Sequence, residues 1–216
     1  MGYSVQAAFV LMGNRIVNIA VVTISLCIAF YFTEVVLAIT GHDEDITQKR
    51  WRAAERLGLA FDTRTKHEVV LSMRSMGVDA WPALSPGKEF IYSDGVQSDD
   101  KGRLFPLSGI SGKRTINCNE SGEYSFYESD EHGFNNPRGL YDGGRIDIAL
   151  VGDSFTVGAC VAPGQDIASY LRRAGLQTIS LAAGGNGPLS ELATLKEYGS
   201  VLRPRVVLWM YDEKMT

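Results

Sequence analysis

Basic residues are in the minority: 21 Lys and Arg face 25 Asp and Glu, giving a formal net charge of −4 and a pI near 5.4. A nucleic-acid binder needs a basic face to meet phosphates, so that class is set aside. Cysteine is scarce too. Three in 216 residues, with no C-x-x-C pair, argue against a zinc ribbon and against a disulfide-dense miniprotein. Proline is rare, seven against 23 glycines, and the aromatic share is an ordinary 10%. Such a chain is neither collagenous nor wholly disordered. It carries no internal repeat. What remains is length for one ordinary domain with an appendage, built from 45% hydrophobic and 21% charged residues.

The appendage is at the amino end. From Ile16 to Thr33 no residue carries charge. Eighteen residues at about 1.5 Å each reach roughly 27 Å, close to the hydrocarbon thickness of a bilayer. The apolar run continues past Glu34, which would lie toward one end, where a carboxylate reaches the headgroups. A buried helix of a soluble core rarely runs this long without a polar face. A cleaved signal peptide would have a shorter apolar stretch and an A-x-A site. The expectation is an uncleaved, single-pass anchor over residues 16–40 behind a tail of residues 1–15. Arg15 precedes the span while Lys49, Arg50 and Arg52 follow it, so the charge count does not favour export. The cysteines point the other way. With Cys27 in the membrane, Cys118 and Cys160 are the pair available to the soluble part, and a disulfide there needs an oxidising compartment. Two free thiols are the alternative. An extracytoplasmic soluble part is the expectation.

Residues 41–128 read as juxtamembrane helices followed by an irregular region. A charged helix is expected over 43–58, and a second from an Asp62 N-cap to Gly77 with Val69, Val70, Met73 and Met76 on one apolar face. Residues 78–123 are rich in Gly, Pro, Ser and Asp and read as irregular, with short strands near 90–92. Asn119-Glu-Ser121 fits a glycosylation sequon, a match that chance often supplies.

Residues 129–216 are more regular. Ile146–Val151 is a short apolar run rich in branched residues, closed by Gly152. Ile167, Tyr170, Leu171 and Ala174 follow at helical spacing, with Gly175 as stop signal. A second apolar run at Thr178–Ala183 leads into a Gly-rich turn and a helix that has Pro188 in its first turn and Leu189, Leu192 and Leu195 facing inward. Arg205–Tyr211 reads as a third buried strand. This is β-α-β-α-β. Right-handed crossovers between near-continuously apolar strands imply a parallel sheet covered on both faces, an α/β fold.

Ligands of such sheets bind outside the carboxyl ends of the strands. Three loops leave those ends: Gly152–Gly158, Gly184–Pro188 and Asp212-Glu213. Ser154 then stands at a strand-to-helix turn with its hydroxyl exposed, and Gly185 lets backbone amides approach a substrate without a Cβ in the way. An attacking hydroxyl beside converging amides is the equipment of acyl transfer.

Here the chain resembles the SGNH (GDSL-type) hydrolases, lipase- and esterase-like serine enzymes. Val151-Gly-Asp-Ser-Phe-Thr-Val-Gly158 is similar to their first block, and Ser180-Leu-Ala-Ala-Gly-Gly-Asn-Gly-Pro188 to their second. Ser129-Asp-Glu-His-Gly-Phe-Asn-Asn-Pro137 is similar to the lead-in of bacterial membrane-anchored members. The resemblance covers about residues 129–211. It implies a three-layer, flavodoxin-like fold, here incomplete, and an ester or acylated-glycan substrate. It also implies Ser154 as nucleophile and the amides of Ser154 and Gly185 as the oxyanion hole. Gly152 and Asp153 would support the turn, and neither a metal nor a cofactor is called for.

The chain departs from the family in two places. The third block, usually G-x-N-D, falls where this chain reads Tyr211-Asp-Glu-Lys-Met-Thr216, with Lys214 near the asparagine's place. No D-x-x-H, the family's acid and base, occurs in these residues, and His42, His67 and His132 all precede Ser154. These departures suggest a truncated member, or a fragment completed by another chain. His132 as a substitute base is the lesser expectation beside an ordinary loop histidine. His67-Glu68 lacks the second histidine of a zincin and reads as helix surface. Two other functions stand beside the hydrolase. One is an anchored, non-catalytic protein binding a glycan or protein partner. The other is a dinucleotide loop at Gly185–Ser190, which lacks the third glycine and follows the second strand instead of the first.

Overall fold

The computed structural model describes residues 3–40, 46–88, 95–98 and 102–211, and the chain divides into two units, Met1–Lys49 and Arg50–Thr216. The first is dominated by helix α1 (Tyr3–Thr40). Its segment Val17–Leu37 is long and apolar enough to cross a membrane, and every side chain in it is exposed. The hydroxyls of Thr23 and Thr33 donate to the carbonyls of Ile19 and Ala29, at 2.9 and 2.8 Å. Such internal bonding suits an apolar surrounding, where a free hydroxyl would have no partner.

Helix α2 (Ile46–Arg56) ends two residues short of the expected Gly58, and residues 43–45 lie outside the described residues. Helix α3 (Lys66–Ser75) starts at a capping box instead of at Asp62. Glu68 N donates to Thr65 Oγ1 at 3.3 Å, and Thr65 N donates to Glu68 Oε2 at 2.7 Å. Each side chain thereby satisfies a backbone N–H that the first helical turn leaves open. Asp62 instead takes the Arg64 guanidinium at 2.6 Å, which holds its carboxyl below the usual range. Val69 and Val70 are buried as expected, but Met76 is 69% exposed because the helix has ended and the chain turns through Gly77. Val78 packs in its stead.

The segment expected to be irregular contains a sheet. β1 (Ala80–Pro82) runs parallel to β4 (Arg114–Asn119), which runs antiparallel to β5 (Tyr124–Glu128). β2 (Val96–Ser98) and β3 (Gly102–Leu104) form a separate antiparallel pair. The strand expected near 90–92 lies outside the described residues. Ala80 and Ile116 close a small core with Val69 and Val70. Asn119 is no glycan acceptor in this fold: its buried amide donates to Asp62 O at 2.8 Å and accepts from Gly122 N at 2.9 Å.

The last third holds a three-stranded parallel sheet of order β7-β6-β8, with β6 at Ile148–Val151, β7 at Thr178–Ser180 and β8 at Val206–Trp209. Ala149 faces Ile179 on one side and Val207 on the other. α4 (Ser154–Val157) and α5 (Ile167–Arg173) fall between β6 and β7; α6 (Pro188–Thr194), a π-turn at Leu195–Gly199 and α7 (Ser200–Leu202) fall between β7 and β8. The unit is thus a mixed α/β structure with small, parallel-rich sheets. Its core joins Ile146, Ala149, Val151, Ile179 and Leu181 to Phe134.

Three expectations about faces are corrected. β8 is a parallel strand but not a buried one, since Val206 to Trp209 remain 38–48% exposed. On α5 the fully buried residue is Ala168, while Ile167 and Tyr170 face outward. On α6, Leu189 (70%) and Leu192 (38%) are exposed, and Glu191 and Thr194 are buried instead. The cause is polar anchoring. Trp209 Nε1 donates to Glu191 Oε2 at 2.5 Å, turning that face of α6 toward β8.

The stretch Ser129–Pro137 is a brace. The buried carboxylate of Asp130 accepts from His132 N (2.8 Å), Phe134 N (2.9 Å), Asn136 Nδ2 (2.8 Å) and Tyr141 OH (3.2 Å). Burial still pushes this carboxyl upward, ahead of the four donors that lower it. Asn136 also receives Ser180 N at 2.8 Å and donates to Ser180 O at 2.9 Å, tying the brace to β7. Asn136→Ala strands buried polar groups on β7 and on Asp130, and is expected to cost about 3 kcal/mol. Urea unfolding of the wild type and the variant measures it; equal midpoints would contradict this role.

Candidate active site

Gly152 ends β6 where a side chain has no space: a Cβ there would overlap Thr156 Oγ1 and come within 3.0 Å of Met210 O. Asp153 follows as N-cap, its Oδ1 accepting from Phe155 N at 3.0 Å and its carbonyl from Val157 N at 3.0 Å. These bonds turn the chain within one residue and set half-exposed Ser154 first in α4, and Gly158, at φ +75°, closes the turn. β7 feeds the second loop. Leu181 N donates to Leu150 O at 2.8 Å, and Asn186 N to Ala183 O at 3.3 Å, folding residues 183–186 back tightly with Gly185 at φ +75°.

Both loops meet at one cleft of about 440 Å³, which Ser154, Phe155, Gly184 and Gly185 help to line. The two points on which the sequence reading depends therefore share a cavity at the carboxyl ends of β6 and β7. The third expected loop, Asp212-Glu213, lies outside the described residues, as does Lys214.

The other walls come from the segment that read as irregular. Residues 83–88 lie flush against the glycine turn: a Cβ on Gly87 would overlap the Gly185 carbonyl, and one on Gly185 would come within 3.3 Å of Ser85 Cβ. Lys88 and, from the start of α3, Lys66 also line the cleft. Cys118, at the end of β4, is disulfide-bonded to Cys160, just past α4, with Cα atoms 5.0 Å apart. This bond fastens the antiparallel sheet to the serine's own loop. No short motif announces these contributions. Gly87 beside Pro86 and the lone pair of extramembrane cysteines were the available signals.

Buried polar atoms without partners gather here as well. Thr156 Oγ1 packs against Gly152, and both polar atoms of the Asn186 side chain, next to Gly185, are unpaired. Each such group costs about 1–3 kcal/mol, and they collect where a structure serves something other than stability.

His132 does not line this cleft. Its ring packs edge-on against Tyr141 and Tyr198, with centroids 4.3 and 5.2 Å away, which is the ordinary role expected of a loop histidine. His67 is exposed on α3, and His42 lies outside the described residues. Among the described residues no three His, Cys, Asp or Glu side chains gather as a metal site.

Compared with protein-family models, curated proteins and solved structures, the chain matches none of them.

Proposed function

We propose that the chain is a membrane-anchored serine hydrolase of the SGNH (GDSL-type) kind that acts on an ester or acyl ester. The observation that carries this reading is the shared cleft of Ser154 and the Gly184–Gly185 turn. Strand order supports it: β7-β6-β8 corresponds to the 2-1-3 start of a flavodoxin-like sheet, whose ligands sit beyond the strand ends. In the reaction, Ser154 Oγ attacks the carbonyl carbon while its proton passes to a base. The amides of Ser154 and Gly185 hold the developing oxyanion, the alcohol leaves with a proton, and water releases the acid from the acyl-serine. One oxyanion donor is worth about 2.7–4 kcal/mol of barrier. The disulfide supports an extracytoplasmic setting for the soluble unit, since such bonds persist in oxidising compartments, with α1 as the tether.

One observation favours a second reading. Among the described residues no histidine lines the cleft, which suits an anchored protein that binds an acylated glycan or a partner without cleaving it. Hydrolysis of 4-nitrophenyl acetate by the full chain in detergent micelles separates the two. A rate well above that of the heat-unfolded chain supports the hydrolase; an equal rate in a folded sample favours the binding protein.

A further inference from the structure

The cleft beside Ser154 has an electrostatic sign. Lys66 and Lys88 both line it, and neither is ion-paired among the described residues. The lining carboxylate, Glu120, is already engaged: Arg50 donates to its Oε1 at 3.0 Å. Asp153, one residue from the nucleophile, spends a carboxylate oxygen on the Phe155 amide. Among the described residues lining the cavity, the uncompensated charge is therefore positive.

Its placement is specific. A Cβ on Gly185 would lie 3.8 Å from Lys88 Cγ, so this lysine's stem runs alongside the glycine assigned to the oxyanion hole. Lys66 is half-buried at the start of α3. Burial, and after it the nearby Lys88, push its ammonium below the usual lysine range. Lys66 is thus a partly desolvated ammonium with a second, exposed lysine nearby, an arrangement that an anion between them would relieve.

We propose that this cleft takes an anionic ester, with Lys66 and Lys88 recognising a carboxylate or phosphate carried close to the acyl group. The proposal rests on the cleft being the substrate site. It adds the substrate's charge, which excludes simple neutral lipid esters as preferred substrates. Lysine serves either anion as a point charge without the bidentate geometry of arginine.

The test uses the full-length Ser154→Ala chain, in which binding is read without turnover. Trigalacturonate, glucose 6-phosphate and maltotriose are titrated by calorimetry as carboxylate, phosphate and neutral probes. One or both anionic probes are expected to bind at least about tenfold more tightly than maltotriose, a difference of about 1.4 kcal/mol. The stronger of the two identifies the anion. Lys66→Met and Lys88→Met are each expected to weaken that probe by about tenfold, while Lys66→Arg and Lys88→Arg retain most of the affinity. Thermal unfolding of each variant confirms a folded sample. No preference for either anion over maltotriose, or a preference that persists in both methionine variants, overturns the proposal. Because hydroxyl activation plays no part in this binding, a failure here is distinct from a failure of the hydrolase reading, which appears as absent ester turnover in the wild type.

Discussion

Ser154→Ala is expected to lower the full chain's ester hydrolysis by at least about 10³-fold, with its thermal midpoint nearly unchanged. The size follows from chemistry: removing the nucleophile of an acyl-transfer site leaves only what binding and the oxyanion donors supply. The unchanged stability follows from the local geometry. The turn is fixed by the Asp153 carboxylate on Phe155 N and the Asp153 carbonyl on Val157 N, neither of which uses the Ser154 hydroxyl. Removing one half-exposed hydroxyl away from a core belongs to the class of changes within about 0.5 kcal/mol. A comparison of initial rates and of calorimetric melts checks both halves. A large loss of stability would mean that the serine is a structural residue of the turn, and an unchanged rate would move the chemistry elsewhere.

The double variant Cys118→Ala/Cys160→Ala is expected to cost about 4 kcal/mol, the chain-entropy value for a loop closed across 42 positions. For a unit of this size that corresponds to a fall in melting midpoint of about 8–16 °C. Activity should fall in parallel, because the bond joins β4 to the segment that leaves α4. Cys160 is also held at φ +62°, a left-handed conformation that a non-glycine residue keeps only where its surroundings impose it. Without the cross-link that residue is free to relax and take the cleft wall with it. Calorimetry under non-reducing conditions, with turnover measured below both midpoints, gives the two readouts. Equal midpoints would show that the disulfide is incidental to the fold.

The parallel strands were legible because burial leaves near-continuous apolar runs: Ile146–Val151 and Thr178–Ala183 read as strands, and β6 (Ile148–Val151) and β7 (Thr178–Ser180) lie within them. The turn at Ser154 was legible because Gly152 stands where no Cβ fits. β1 and β4 were not. One is three residues long and ends in Pro82, and the other is Arg-Thr-Ile-Asn-Cys-Asn, whose Arg114 and Asn119 find their partners, Glu128 and Asp62, far away in sequence. Helix faces were misjudged for a related reason. Spacing alone chose Leu189 and Leu192 for the core of α6, whereas the bond between Glu191 and Trp209 rotated that helix the other way. β8 was read as buried from its composition, yet composition records the chance of burial and not which neighbours cover the strand. Within the site, the two chemical loops were visible, but the walls built by Ser85–Lys88 and Lys66 depend on tertiary contacts that local patterns do not encode.

The most direct measurement of the central claim is covalent. The full chain in lipid nanodiscs is treated with a fluorophosphonate, and the modified residue is identified by mass spectrometry of its peptides. The expected result is a phosphonate adduct on the peptide carrying Ser154, absent from Ser154→Ala and from chain unfolded beforehand. An unmodified Ser154 in a folded sample with its Cys118–Cys160 bond intact would contradict an activated nucleophile in this cleft.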